Sequence, residues 1–279
     1  MKALFGPAGN SDSFIQNGHK STLEAPAFVS GLGLTAYEYQ CGHGVRVNEK
    51  NAAAFKLEAE KYGIFVSLHA PYYISLSSTD PEKRDNSVNY ILQSARAAKL
   101  LGAKRVVVHS GSAGKISRLE AMELAKDTLR RALSAMKREG LSDIILCPET
   151  MGKFNQLGDL QEVMELCKIE DSLLPCIDFG HLNARTLGGL KSGDDYAKVL
   201  DTIQNELGKD RLQVFHSHFS KIEYTEKGGE KRHLLFSDTV YGPEFEPLAE
   251  QISKRSLTPV FICESAGTQA EDAKTMQEL

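Results

Sequence analysis

Eight short apolar runs, set apart by stretches with helical spacing, constrain this chain more than any other feature of its sequence. They are Ala3–Gly6, Ala36–Gln40, Ile64–Ala70, Arg105–Ser110, Asp143–Pro148, Leu173–Asp178, Leu212–His216 and Pro259–Cys263. Stretches such as Val106-Val107-Val108 are continuously apolar, as expected of strands covered on both faces. Between the runs, Asn48–Tyr62 carries Ala52, Phe55, Ala59 and Tyr62 at helical spacing. Arg118–Arg138 does the same with Leu119, Met122, Ala125, Leu129, Leu133 and Met136, and Asp85–Leu101 is a similar mixed stretch. Strands alternating with helices imply βαβ units and a parallel sheet. Eight such units predict an α/β fold, a single (β/α)8 TIM barrel spanning residues 1–279 as one domain. An open doubly wound sheet is the alternative.

The residues at the strand ends decide between them. The third run leads into His69-Ala70-Pro71, the fourth into His109-Ser110-Gly111-Ser112, and the fifth into Glu149-Thr150. The sixth gives Cys176-Ile177-Asp178-Phe179-Gly180-His181, the seventh His216-Ser217-His218 and the eighth Glu264-Ser265. Six successive strand ends therefore deliver an acid–base or metal-competent side chain. A closed barrel gathers them on its carboxyl-terminal rim, whereas an open sheet would scatter them. Singly, each is the kind of residue that often serves only as a structural hydrogen-bond partner. Together they form a set whose burial is costly unless the groups are paired or hold metal.

Imidazoles and carboxylates without thiolates suit Zn2+ best, with Mn2+ or Fe2+ as alternatives. Adding His233 from the loop after the seventh strand gives the candidate ligands His69, His109, Glu149, Asp178, His181, His216, His233 and Glu264. That is too many for one tetrahedral ion. It fits two or three ions bridged by a carboxylate, an arrangement that activates water for phosphoryl displacement. The strand cysteines fit this site poorly. Cys263 precedes Glu264 and should point away from the rim, while Cys147 and Cys176 lie two residues before Glu149 and Asp178, one layer deeper in the barrel. A glycosidase pair of Glu149 and Glu264 is also conceivable, but it leaves the histidines without a purpose.

The bulk composition is that of an ordinary globular chain: 41% hydrophobic, 25% charged, and too rich in charge for any run to span a bilayer. With no apolar stretch at the N-terminus, the expected compartment is the cytoplasm. Its five cysteines are scattered without a CxxC pair, which argues for free thiols. A net charge of −4 gives a polyanion no overall attraction, so nucleic-acid binding would need a local basic patch. The segments after the strands supply one: His43, Arg46, Lys115, Arg118, Lys153, Arg185, Lys221, Lys227, Lys231 and Arg232. The last group is interleaved with Glu223, Glu226 and Glu230, as in a mixed-charge solvated loop. Nothing calls for a membrane or an obligate protein partner.

These motifs resemble the endonuclease IV family of apurinic/apyrimidinic endonucleases, within the xylose-isomerase-like barrels, and the likeness spans nearly the whole chain. Its most specific pieces are Cys176-Ile177-Asp178-Phe179-Gly180-His181, similar to the family's C-x-D-x-x-H signature, and His69-Ala70-Pro71-Tyr72 with His109-Ser110-Gly111-Ser112. The resemblance implies a zinc-dependent phosphodiesterase of base excision repair, cleaving double-stranded DNA on the 5′ side of abasic sites, with Glu149 catalytic. It assigns a first metal to His69, His109 and Glu149, and a second, bridged by Glu149, to Asp178, His216 and Glu264. A third falls to His181 and His233. Tyr72, Lys221 and Arg232 would contact DNA. Tyr72 matches a side chain that the family pushes into the duplex, though an aromatic covering the barrel mouth would look the same.

One departure stands out. The family's H-x-N-D-[SA]-K motif reads here as His216-Ser217-His218-Phe219-Ser220-Lys221, and its D-R-H reads as Lys231-Arg232-His233. Lysine offers no ligand while protonated, so the third site has lost a carboxylate that Glu230 or His218 would have to replace. The loss lends weight to a different activity, a sugar isomerase or epimerase with one ion held by Glu149, Asp178, His216 and Glu264. A catalytically silent binding protein on the same barrel is a further alternative.

Overall fold

The computed structural model describes residues 2–279. Eight parallel strands form the barrel: β1 (Leu4–Pro7), β2 (Ala36–Gln40), β3 (Phe65–His69), β4 (Arg105–Val108), β5 (Ile145–Pro148), β6 (Cys176–Asp178), β7 (His216–Phe219) and, last in the chain, β10 (Val260–Cys263). They pair as two four-stranded sheets, β2-β3-β4-β5 and β1-β10-β7-β6. Two seams close the ring. At one, Ala8 bridges Glu38, with Gly9 N donating to Glu38 O at 2.9 Å; at the other, Glu149 bridges Cys176, with Thr150 N donating to Cys176 O at 3.0 Å. The first seam is tight, since a Cβ added at Gly6 would fall 1.7 Å from the carbonyl oxygen of Ala36.

Alternation along each strand sorts the side chains into an outer set and inner layers. The outward residues, Val66, Leu68, Val106, Val108, Leu146, Ile177, Phe215, Phe219 and Phe261, join the helices in one extended core. Cys263 lies in that same core, facing the helices as expected. Two smaller apolar clusters fill the barrel's interior. One holds Val107, Cys147, Leu174 and Cys176, which confirms the deeper placement of those two thiols; the other holds Ala36, Val260 and Ile262.

The long helices follow their periodicity. Arg118–Arg138 is helical from end to end and opens on a capping box, with Ser117 accepting from Glu120 N and the Glu120 side chain returning to Ser117. Glu49–Tyr62 buries Ala52, Phe55 and Ala59 and stops at Gly63 in the left-handed conformation (φ 66°).

The seventh strand departs from the expected Leu212–His216. Lys209–Gln213 is a short helix, and the strand is His216–Phe219. The apolar Leu212 is buried from that helix, whereas the true strand reads His-Ser-His-Phe and keeps its polar residues buried among partners. A second addition is the antiparallel hairpin of β8 (Ile222–Thr225) and β9 (Gly229–His233), which fills the expected loop. Among the described residues, no helix is long and apolar enough to cross a membrane.

Candidate metal centre

The inward positions at the strands' carboxyl ends meet around Glu149, which is 1% exposed. His69 Nε2 stands 3.4 Å and His109 Nε2 3.1 Å from Glu149 Oε2. On the other side His218 Nδ1 lies 2.9 Å and His181 Nδ1 3.6 Å from Glu149 Oε1. Glu264 Oε1 is 3.5 Å from His218 Nδ1, and Asp178 Oδ2 is 3.3 Å from His181 Nδ1. A rim of donors around one buried carboxylate is what the strand ends predicted.

Backbone carbonyls orient two of these rings. His69 Nδ1 donates to Ala70 O at 2.8 Å and His181 Nδ1 to Thr150 O at 2.9 Å, which turns Nε2 of His69 toward Glu149 and Nε2 of His181 toward Glu230. Asp178 caps the short helix Phe179–Arg185 by accepting from His181 N at 2.7 Å, so that helix holds His181 against the rim.

Donor atoms fall into four groups, each within 4.8 Å of one another: His69–Glu149–His218, Glu149–Asp178–His218–Glu264 and His181–Glu230–His233 at the rim, and Cys176–His216–His218 reaching the layer below. Two carry corrections to the expected ligand set. His216 is not at the rim: it lies one layer below with Cys176, its Nε2 3.0 Å from Glu38 Oε2. Alternation puts the inward residue of the rim two positions on, at His218. At the third group the carboxylate present is Glu230, whose Oε2 stands 3.4 Å from His181 Nε2, while Lys231 turns outward to Glu223. Gly152 makes room for Glu230, because a Cβ there would lie 2.6 Å from Glu230 Cβ. His233 completes this group, with Nδ1 2.8 Å from Ser220 Oγ and 4.0 Å from Glu264 Oε2.

Two observations test whether divalent metal fits. Glu149 Oε2, Asp178 Oδ2 and Glu230 Oε2 are all buried without a hydrogen-bond partner, one free oxygen in each of three carboxylates. The carboxylates also crowd one another: burial, with Glu264 and Glu149 nearby, pushes Asp178 up to about 6 despite His181. Burial opposes charge on His181 as well, yet Asp178, Glu230 and Glu149 outweigh it and raise the ring to about 9. Excess buried negative charge and orphaned oxygens are the needs that cations meet.

The expected DNA-facing residues divide. Tyr72 is half-exposed at the mouth, stacked on His109 (ring centroids 5.6 Å, 28° between planes) and edge-on to His69 at 5.1 Å. Arg232 is exposed on the hairpin and pairs with Glu223 at 2.7 Å. Lys221 is not at the surface: it is 5% exposed and its Nζ donates to Asp238 O and Glu244 Oε1, both at 2.7 Å. A buried ammonium needs such acceptors, and they hold two of its three N–H groups inside the fold. Arg118 and Arg185 are likewise turned onto loop carbonyls. The basic residues that do line the cavity of about 920 Å³ over the rim are His43, Arg46 and Lys153. Glu38, which sequence reasoning passed over, was marked only by a charged residue in mid-strand.

The likeness to known proteins agrees with this fold. An uncharacterized protein of Methanocaldococcus jannaschii is 33% identical over 262 residues, 94% of this chain and 91% of that one. A probable endonuclease 4 of Mycoplasma pneumoniae is 28% identical over 210 residues, 72% of this chain and 68% of its own. Among solved structures, endonuclease IV from Thermus thermophilus aligns with a TM-score of 0.70 at 21% identity, over 92% of this chain and 93% of that chain. The 3-keto-D-glucoside 4-epimerase of E. coli aligns with a TM-score of 0.71 at 17% identity, over 99% and 98%. A family model described as xylose isomerase-like TIM barrel matches residues 26–279, and the chain belongs to that family.

Proposed function

We propose that this chain is a metal-dependent phosphodiesterase of the endonuclease IV type, cleaving double-stranded DNA on the 5′ side of abasic sites. The observation that carries the reading is the third donor group, His181–Glu230–His233, standing beside the two groups that share Glu149. A single-ion isomerase needs only the Glu149–Asp178–His218–Glu264 set. The curated relatives named probable endonuclease 4 support the same choice.

In this reading His69, His109 and Glu149 would hold one ion, Glu149, Asp178, His218 and Glu264 a second, and His181, Glu230 and His233 a third. Bound there, zinc or manganese supplies Lewis acidity and a water activated near neutral pH. The protein's part is to fix the donors. Glu149 faces imidazoles on both sides and would hold metal together with either set. Tyr72 covers His69 and His109 at the entrance, and His43, Arg46 and Lys153 meet the phosphate backbone.

The test is a duplex oligonucleotide with one abasic analogue. Cleavage on the 5′ side, abolished by chelator and by Glu149→Gln, is the expected result; an intact strand at high enzyme and saturating zinc or manganese would sink the reading. The second reading, a sugar epimerase, is favoured by the match to the E. coli epimerase. A metal count separates them: one ion per chain for the epimerase, two or three for the nuclease.

A further inference from the structure

The short helix that carries His181 ends on a cation with an unusual set of partners. Arg185 stands in its last turn, partly buried. Among the described residues its guanidinium pairs with no carboxylate and donates instead to backbone oxygens of one loop, the one that follows Glu149. Nη1 reaches Lys153 O at 2.8 Å, Met151 O at 3.2 Å and Gln156 O at 3.3 Å. Nη2 reaches Gln156 O at 3.3 Å and Phe154 O at 3.5 Å. Arg118 shares Phe154 O and Gln156 O, but its charge is also met by Glu162. Four carbonyl dipoles turned toward one point repel one another, and a planar fork of N–H donors offsets that repulsion. The loop is therefore shaped around Arg185.

The same loop seats the β8–β9 hairpin. Phe154 N donates to Gly228 O and Glu230 N to Gly152 O, both at 3.2 Å, and Lys153 bridges Gly229. The join has no slack: a Cβ at Gly229 would fall 2.3 Å from Gly152 O. His181 stands on the helix, and Glu230 and His233 stand on the hairpin. Helix and hairpin are both tied to this loop, so its shape helps to set the distance between them.

We propose that Arg185 is a positioning residue of the third donor group: by gathering the carbonyls of Met151, Lys153, Phe154 and Gln156 it holds the loop in the form that carries Glu230 and His233 to His181. The role rests on the metal reading of that group. Its first consequence, a hairpin held fast against the loop, needs no metal.

The experiment compares wild type with Arg185→Met, which keeps an unbranched chain and removes every N–H donor, and with Arg185→Lys, which keeps the charge and three donors. In the metal-free proteins, amide hydrogen exchange at Phe154 and Glu230 should quicken about tenfold in Arg185→Met, because the hairpin opens locally at lower cost. The increase should be smaller in Arg185→Lys, and the Ala70 amide, bonded to Val107 O across the barrel wall, should keep its wild-type rate. Zinc affinity, read by competition with a chromophoric chelator, should fall about 10–100-fold for one ion only, as for other residues behind a ligand. Arg185→Lys should recover part of that loss. If Arg185→Met fails to fold, Arg185→Lys carries the comparison with the same two readouts. Unchanged exchange at Phe154 and Glu230 overturns the proposal, and so does an equal weakening of every ion with faster exchange at Ala70, the mark of general loosening. Should wild type bind no zinc, the metal reading falls by itself, and the exchange rates alone uphold or overturn the hold of Arg185 on the hairpin.

Discussion

Glu230 and Lys231 are neighbours with opposite roles. Glu230 faces His181 beneath the hairpin, and Lys231 pairs outside with Glu223. Removing the first therefore differs from removing the second. Glu230→Ala should lose one equivalent of metal by elemental analysis, with the remaining ions retained; Lys231→Ala should keep the full count. Equal metal content in the two variants would refute the assignment of Glu230. Most of the rim was legible, because His69, His109, Glu149, Asp178, His181 and Glu264 each sit at a strand end where few other residue types are expected. The rule that set Cys147 and Cys176 one layer below Glu149 and Asp178 applies equally to His216 and His218, and it separates them once β7 is known to continue to Phe219. Glu38 was illegible for a different reason: nothing in a sequence tells whether a mid-strand acid faces solvent or buried donors such as Ser67 and His216.

At the scale of the elements, local rules served the helices better than the strands. The helix Arg118–Arg138 carries its own start signal, and Ser117→Ala should lower stability by about 1 kcal/mol in urea unfolding. Strand β7 was misplaced because an apolar run usually marks a strand, and here the buried apolar residue Leu212 belongs to a helix. The β8–β9 hairpin was missed because Gly228-Gly229 turns a charged, mixed segment whose pairing depends on the loop beneath it. That loop is close: Glu230 N donates to Gly152 O at 3.2 Å. Gly152→Ala should push the hairpin away, costing about 1–3 kcal/mol of stability and the ion at His181 together. A variant that keeps both, measured by melting and metal content, would show that the hairpin tolerates the displacement.

For the molecule as a whole, metal and stability are linked. If the rim holds ions in the folded state alone, a chelator should lower the melting temperature, and zinc at about 100 times its dissociation constant should restore about 2.7 kcal/mol. A melting temperature indifferent to chelator and to zinc would count against the three donor groups as ion sites. The ring itself is built from two four-stranded halves joined at two narrow seams, and the two donor groups that share Glu149 draw on both halves. His69, His109 and Glu149 come from one half; Asp178, His181, His218 and Glu264 come from or come just after strands of the other. An ion shared by Glu149 and Asp178 is then a clasp between half-barrels. Its loading should be visible far from any catalytic assay, as slowed deuterium uptake at the amides of Gly9 and Thr150 that stitch the two edges.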